Sequence, residues 1–339
     1  MAADHDRAST VLAGASGLDP LSDVLRAVRL TGACFFRIEA GSPWWAEVPD
    51  AAAVAPCILP RAQHIVSYHV ITSGRCWAGL ADGSGLWVEA GDVVLIPHGD
   101  CYALSSEPGP VGRQPLDAAQ AFFRAVAARE LPFTIREGAG GTDVELICGF
   151  LGCDALPFNP ILTVLPRLLR IPSAREGESD RLGQLVEFAL AEARERGDGG
   201  DCVLLRISEL MFVEVVRRYV RSLPPDGSGW LAGLRDAGVS RALALLHGQS
   251  ARSWTLEALA HEAGLSRSAL AERFAHYVGQ PPMQYLMRWR LQLAARLLAD
   301  GEAKVSAVAY EVGYESEAAF SRAFKRAVGV SPAAWRKRV

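Results

Sequence analysis

Hydrophobic and polar positions alternate in short runs over the first half of the chain and recur at helical steps over the second. Cys34–Glu39, Ile65–Thr72, Cys76–Leu80, Leu86–Glu89 and Val93–Ile96 are rich in β-branched or aromatic residues. Gly74, Asp82-Gly83, Gly91-Asp92 and Pro97 interrupt them, a pattern that predicts strands joined by tight hairpins. Residues 18–172 are therefore expected to form a sandwich or small barrel. A predicted helix at Ala118–Arg129 breaks the series, and a strand at Val144–Phe150 resumes it.

From Asp180 the period becomes helical. Leu182, Leu185, Val186, Ala189 and Leu190 share one stripe, and Leu204, Ile207, Leu210, Met211, Val215 and Val216 share another. Arg196–Asp201 joins them as a turn, and the Pro- and Gly-rich stretch Leu223–Gly229 reads as a linker. Two apolar stripes need cover, either from their own sheets or from a second copy. Residues 180–223 are thus a helical linker and a candidate homodimerisation element. The expected fold class is α+β: an N-terminal β-barrel, this linker, and an all-α domain over 230–339.

The all-α domain contains a repeat. Leu259-Ala260 and Gly264-Leu265 match Val308-Ala309 and Gly313-Tyr314 at an offset of 49 residues. Leu270, Phe274, Gly279, Pro282 and Tyr285 match Phe320, Phe324, Gly329, Pro332 and Trp335 at an offset of 50, so one residue is inserted in the second turn. Each copy reads as a helix-turn-helix, over 255–279 and 304–329. A small alanine permits close helix approach, a glycine supplies the positive φ that ends the first helix, and Ser266 or Ser316 caps the second. Between the copies, Met283–Ala299 is expected to be a helix of about 25 Å with a stripe of Leu286, Trp289, Leu293 and Leu297. Such a spacer would set two reading helices on successive major-groove faces, roughly 34 Å apart. A helical bundle without a DNA role is the competing explanation of the repeat.

Charge strengthens the nucleic-acid reading. Net charge is -3, but residues 239–339 carry 14 Lys and Arg against 8 Asp and Glu, whereas the preceding 238 carry 21 against 30. A basic module on an acidic one suits DNA binding by one end. Seven cysteines, all before residue 203, do not form an even set, and this argues against a disulfide framework. Residues 1–17 put Asp4, His5, Asp6 and Arg7 where a signal peptide needs a basic patch and an apolar run, and so read as a disordered tail of a cytoplasmic protein.

Gly313–Arg336 resembles the signature of the AraC/XylS family of bacterial transcription regulators, and Leu256–Gly279 fits the same pattern. Asp19–Asp23, Gly91–Pro97 and Cys148–Asp154 resemble the cupin-type sensory domain of one AraC subfamily. The resemblance implies a sequence-specific activator that binds double-stranded promoter DNA, works with RNA polymerase, and answers to an effector in the N-terminal domain. It also places Arg322 where an arginine commonly approaches bases, and a guanine edge offers that arginine two acceptors. Ser316, Glu317, Ser321 and Lys325 share the outward face with Arg322, while Lys325, Arg326 and Arg336–Arg338 are candidates for phosphates. In the first unit the corresponding candidates are Arg267, Ser268, Glu272 and Arg273, with a carboxylate, Glu272, standing where the repeat has Arg322.

The effector is less legible. A small organic molecule ringed by Trp77, Trp87 and Tyr102 is one expectation. Another is zinc on His69, His98 and Cys101, with His64 a further candidate, although a five-residue separation points His64 and His69 to opposite faces of a strand. Oxidant sensing through Cys101 is a third. An extended strand sets Cys148 and Cys153 about 16 Å apart against a limit near 7 Å, so a bridge between them requires a bend at Gly149 and Gly152. A metal-dependent cupin oxygenase or isomerase fused to a DNA-binding module remains the alternative function. Its histidine pattern is broken, and no Ser-His-Asp, Cys-His or phosphate-loop constellation accompanies it.

Overall fold

The computed structural model describes residues 19–27, 30–60, 62–112, 114–153, 158–173, 180–195, 197–224, 227 and 229–337. The predicted tail 1–17, Asp154, Arg196, Pro225, Asp226, Ser228 and Arg338 lie outside the described residues. The chain forms two compact units. One contains the described residues between 30 and 153 and between 165 and 223; the other contains 19–27, 158–164 and 224–337.

A short helix, α1 (Pro20–Ala27), belongs to the second unit. The first unit opens with β1 (Leu30–Gly41), β2 (Trp45–Val48), α2 (Ala51–Ile58), β3 (His64–Ser73), β4 (Arg75–Leu80), β5 (Gly85–Glu89), β6 (Val93–Ile96) and β7 (Tyr102–Ser105). It continues with α3 (Leu116–Ala127), β8 (Thr134–Gly138), β9 (Val144–Cys153) and β10 (Leu169–Ile171). The strands make a six-stranded sheet in the order β10-β6-β3-β9-β1-β8 and a four-stranded sheet in the order β2-β7-β4-β5. No ladder joins the two sheets among the described strands, so the expected barrel is two facing sheets and is not closed.

Strand β9 lies between β1 and β3, and its register sets Phe36 and His69 on either side of Cys148. Phe150 is flanked likewise by Cys34 and Ser67. With a period of two, all these residues share the inner face of the larger sheet. Across from them, Tyr102 pairs with Val48 and Leu80, and Leu104 pairs with Ala46 and Ala78. The core between the sheets is apolar and buried.

Helices α4 (Arg181–Glu195) and α5 (Gly200–Ser222) pack as a pair. Leu182, Met211, Phe212 and Val215 meet Tyr68, Val70, Leu95 and Leu151 on the outer face of the larger sheet. Much of the two stripes is therefore covered by the chain itself. Leu210, expected on the buried stripe of α5, is 55% exposed, as is Phe188 of α4.

The second unit consists of α1 with α6 (Trp230–Gly233), α7 (Ala237–Gly248), α8 (Leu256–Ala263), α9 (Arg267–Val278), α10 (Pro282–Asp300), α11 (Val305–Glu311), α12 (Glu317–Val328) and α13 (Pro332–Arg336). Two segments distant in sequence join it. Asp23 of α1 approaches His247 of α7, Oδ2 to Nδ1 at 3.7 Å. The backbone N–H of Phe158 donates to Gln292 Oε1 of α10 at 3.0 Å. Helix α10 is buried on more than the one predicted stripe: Tyr285, Leu286 and Trp289 are joined by Leu291, Ala294, Ala295 and Leu298, while Leu293 and Leu297 are half-buried. A helix that passes between two cores needs apolar cover on both sides, and small alanines let the second core approach.

Candidate functional site

The repeat seen in the sequence is a repeat of hydrogen bonds. Helix α8 ends where Leu265 N–H donates to Ala260 O at 2.9 Å, with Gly264 at φ 76°. Helix α11 ends where Tyr314 N–H donates to Ala309 O at 2.9 Å, with Gly313 at φ 89°. Ser266 Oγ then accepts from Ala269 N–H and Ser316 Oγ from Ala319 N–H, both at 3.2 Å. Each cap is worth about 1 kcal/mol. The offset passes from 49 to 50 between these two motifs, so Glu315 is the inserted residue. Leu270 and Phe274 of α9, and Phe320 and Phe324 of α12, point inward and are fully buried.

The opposite faces of α9 and α12 are open, but their charges differ in availability. On α12, Glu317, Arg322, Lys325 and Arg326 are exposed and Ser321 is half-buried. The side chains of Arg322 and Lys325 make no hydrogen bond or ion pair with any described residue. On α9, Arg273 pairs with Asp236, whose side chain is only 6% exposed and caps α7 by accepting from Val239 N–H at 2.9 Å. Arg267 pairs with Glu257 at 3.0 Å, both well exposed, an arrangement that contributes little. Ser268 and Glu272 are exposed. Near the end of the chain Arg336 donates to Ala303 O, which ties this expected phosphate contact to the fold, while Lys337 is exposed.

One arginine sequence reasoning did not single out links the two helix-turn-helix copies. Arg290 of α10 donates to Ser250 O at 2.7 Å, Arg252 O at 2.9 Å and Gly313 O at 3.0 Å. It thereby joins the turn of the second helix-turn-helix to the loop before the first. Its burial pattern in sequence, an arginine amid apolar residues of α10, was the available signal.

The other candidate site is a cavity of about 580 Å³ between the two sheets. Its walls include Phe36, Phe122, Phe123 and Phe150, packed edge-to-face or stacked at 5.2–6.1 Å between ring centroids. His69 and Tyr102 also line it, with His69 Nε2 2.6 Å from the Tyr102 hydroxyl. Burial brings the His69 imidazole down to about 3, so it is neutral at physiological pH. Glu47, Gln114 and Glu137 supply the remaining polar lining apart from the Cys148 thiol, and burial raises the Glu137 carboxyl.

The other expected effector residues lie elsewhere. Trp77 and Trp87 are register partners that form a T-shaped pair at 5.7 Å, and neither lines the cavity. Alternate residues Cys76, Ala78 and Leu80 fill the core, and this puts Trp77 on the outer face. His98 is exposed, with Nε2 2.8 Å from Leu165 O, and Cys101 is not in the lining.

Nor do the zinc candidates converge. His64 Nε2 meets Pro97 O at 2.6 Å, His69 meets Tyr102, and His98 meets Leu165. Among the described residues no group of three or more His, Cys, Asp or Glu is placed to hold a metal ion. The Cys101 thiol is pushed up to about 11 by burial and then by Glu47 and Asp50, which keeps it a poor nucleophile. Burial likewise raises Cys34 and Cys76 to about 12 and raises Cys148. Cys148 and Cys153 lie along one extended strand and form no disulfide.

Comparison with known proteins decides the family. A cupin family model matches residues 19–221, more than half of the chain, and a helix-turn-helix domain model matches 259–338. A protein of Streptomyces antibioticus named as an AraC-like transcription regulator is 33% identical over 324 residues, which cover 94% of this chain and 99% of that protein. The chain belongs to the AraC-like transcription regulators. The HTH-type transcriptional regulator AlkR of Acinetobacter baylyi is 32% identical over 81% of the chain and 89% of its own length. A solved DNA-binding domain of the transcriptional factor AdpA, in complex with a target DNA, is 33% identical, covering 28% of this chain and 86% of that one at a TM-score of 0.28.

For this AraC-like regulator, the sequence pointed to the DNA-binding face more fully than to the cavity. Phe36, Phe150 and Cys148 sit at alternating positions of strands read correctly, but parity alone does not say which side is inward. Phe122 and Phe123 come from a helix that looked like an interruption and in fact forms one wall.

Proposed function

We propose that the regulator activates transcription by laying α9 and α12 into neighbouring major grooves of promoter DNA, with α12 as the principal reader. The observation that carries this is the paired turn-and-cap geometry with uncommitted Arg322 and Lys325 on the second copy alone. Arg322 reads bases; Lys325 and Arg326 hold phosphates; Ser316, Glu317 and Ser321 border them. In the first copy Ser268, Arg267 and Glu272 meet DNA more weakly, and Arg273 serves the fold through Asp236. An effector in the 580 Å³ cavity controls the output, and the cavity carries no catalytic role. The protein acts in the cytoplasm, beside its DNA and RNA polymerase; among the described residues no helix is long and apolar enough to cross a membrane.

Anisotropy titrations of the full chain on its own promoter and on unrelated duplex test the reading. Specific binding should exceed non-specific by at least about 10³-fold and weaken steeply with salt. A chain with no salt-sensitive affinity for either duplex would sink it. Run-off transcription should rise when the regulator is added, and a fall would make it a repressor. A homodimer through the exposed Phe188 and Leu210 of α4 and α5 is part of the proposal, and sedimentation showing a concentration-independent monomer ends that part.

A further inference from the structure

The cavity between the sheets contains a carboxylate with no counter-charge among the described residues. It lies beside β2 and β8, the edge strands of the two sheets, and Phe122 and Phe123 of α3 form part of its wall. The most buried of its lining residues, His69, Tyr102, Cys148 and Phe150, are each 1% exposed or less. Trp45 and Gln114 are exposed and mark its mouth, and Glu137 of β8, half-buried, also lines it. Register fixes the direction of the Glu137 side chain. Ile135 and Glu137 pair with Ile38 and Ala40 of β1, and both of these belong to the core between the sheets. Ile135 packs against that core, whereas Arg136 is 87% exposed. With a period of two, Glu137 therefore faces inward.

The two acids of the lining differ in what they already hold. Glu47 accepts from Gln114 N–H at 3.3 Å and from Trp45 Nε1–H at 3.4 Å, so it is engaged. The Glu137 side chain takes no hydrogen bond or ion pair from any described residue, and burial alone raises its carboxyl. No Lys or Arg is among the described lining residues. Only deep burial keeps a carboxyl protonated at neutral pH; Glu137 keeps contact with water and is ionised there. Each kind of occupant then meets a different environment. An anion is repelled across apolar space, where water screens little. A neutral molecule that fills the cavity takes water from the carboxylate and gives nothing back. A cation replaces what that water supplied and, held beside a half-buried residue, keeps part of its own hydration.

We propose that the cavity takes an organic cation with a large apolar body, such as an arylalkyl amine, whose ammonium pairs with Glu137. The rings of Phe36, Phe122, Phe123 and Phe150 pack the apolar body, and a volume of about 580 Å³ suits one to three rings or an equivalent chain. The proposal rests on the reading that this cavity holds the effector, and deepens it.

Four probes of one shape test it by calorimetry on the full chain at neutral pH: 2-naphthylmethylamine, which is protonated there, 2-naphthylmethanol, 2-ethylnaphthalene and 2-naphthoate. The amine should bind about ten-fold more tightly than the alcohol or the hydrocarbon, the gain of one charge-assisted hydrogen bond, and the carboxylate should bind least. In Glu137→Gln the amine should lose that advantage while the hydrocarbon still binds. Carbon-13 NMR of the wild type keeps the test open if this variant does not fold: the Glu137 Cδ resonance should titrate at lower pH with the amine bound and not with the hydrocarbon. Equal or tighter binding of the alcohol, the hydrocarbon or the carboxylate, an amine advantage that survives in Glu137→Gln, a Glu137 resonance indifferent to the amine, or no binding by any of the four overturns the proposal. Promoter affinity measured with and without each probe separates the two readings. Amine binding that leaves DNA affinity and transcription unchanged overturns effector control and leaves the ligand class standing. A response to the hydrocarbon or the carboxylate and not to the amine leaves effector control standing and overturns the ligand class.

Discussion

The two helix-turn-helix units share their turn and cap geometry, yet one presents free positive charge and the other has most of its own already committed. Helix α12 leaves Arg322 and Lys325 without partners among the described residues, whereas α9 gives Arg273 to the buried Asp236 and Arg267 to Glu257. A repeated backbone thus does not imply repeated chemistry. Turn glycines and serine caps act locally and survive duplication. The availability of an arginine depends on what the neighbouring helices place beside it.

The turn glycines give the largest expected contrast. Gly264 has open space around the position of an added Cβ, while at Gly313 that atom would lie 2.7 Å from backbone atoms of Ala251 and 2.9 Å from the Arg290 guanidinium carbon. Gly264→Ala should cost about 1 kcal/mol for its positive φ alone, and Gly313→Ala about 3 kcal/mol because the backbone must also move. Thermal unfolding of the two variants checks this, and equal melting temperatures would show that the loop at Ala251 yields freely.

Next in size is the reading contrast. Arg322→Ala should weaken promoter binding by about 10- to 100-fold and relax sequence choice, the loss of roughly 1–3 kcal/mol of base discrimination. Glu272→Ala, at the equivalent position of α9, should change affinity by less than about three-fold or tighten it, since it removes a carboxylate from near phosphates. Comparable losses in both would mean that the units read DNA equally.

Arg273→Ala sharpens the comparison from the other side. Asp236 would lose its cation, at a cost of about 1 kcal/mol after allowing for the half-exposed arginine. The melting temperature should fall by a few degrees while the affinity of folded protein for DNA stays within about two-fold. Affinity lost without a change in melting would place Arg273 on the DNA. The smallest effect belongs to Lys325→Ala, which should weaken all sequences alike and lower the slope of log affinity against log salt by about 0.9. A sequence-dependent loss would make it a base reader.

The strands from Cys34 to Ile96, the helical hairpin and both helix-turn-helix units were legible in the sequence, because each is written in nearest-neighbour chemistry. The short strands β2, β7, β8 and β10 were not, being three to five residues long with weak alternation. Trp77 and Trp87 looked like cavity residues because aromatic side chains signal burial in general. Their side of the sheet followed only from which alternate residues the second sheet covered. The zinc candidates stay apart for a related reason, since His64, His69 and His98 each meet a separate oxygen partner.

What the chain determines by itself is local: where glycine ends a helix, where serine starts one, which faces are greasy, and where the duplication lies. The tertiary structure decided the rest. It brought Asp236 to Arg273 across 37 residues, Arg290 to Gly313 across 23, and His69 to Tyr102 across 33. Those pairings settle which charges are spent and what a cavity offers. They depend on the meeting of distant segments, and no window along a sequence contains both partners.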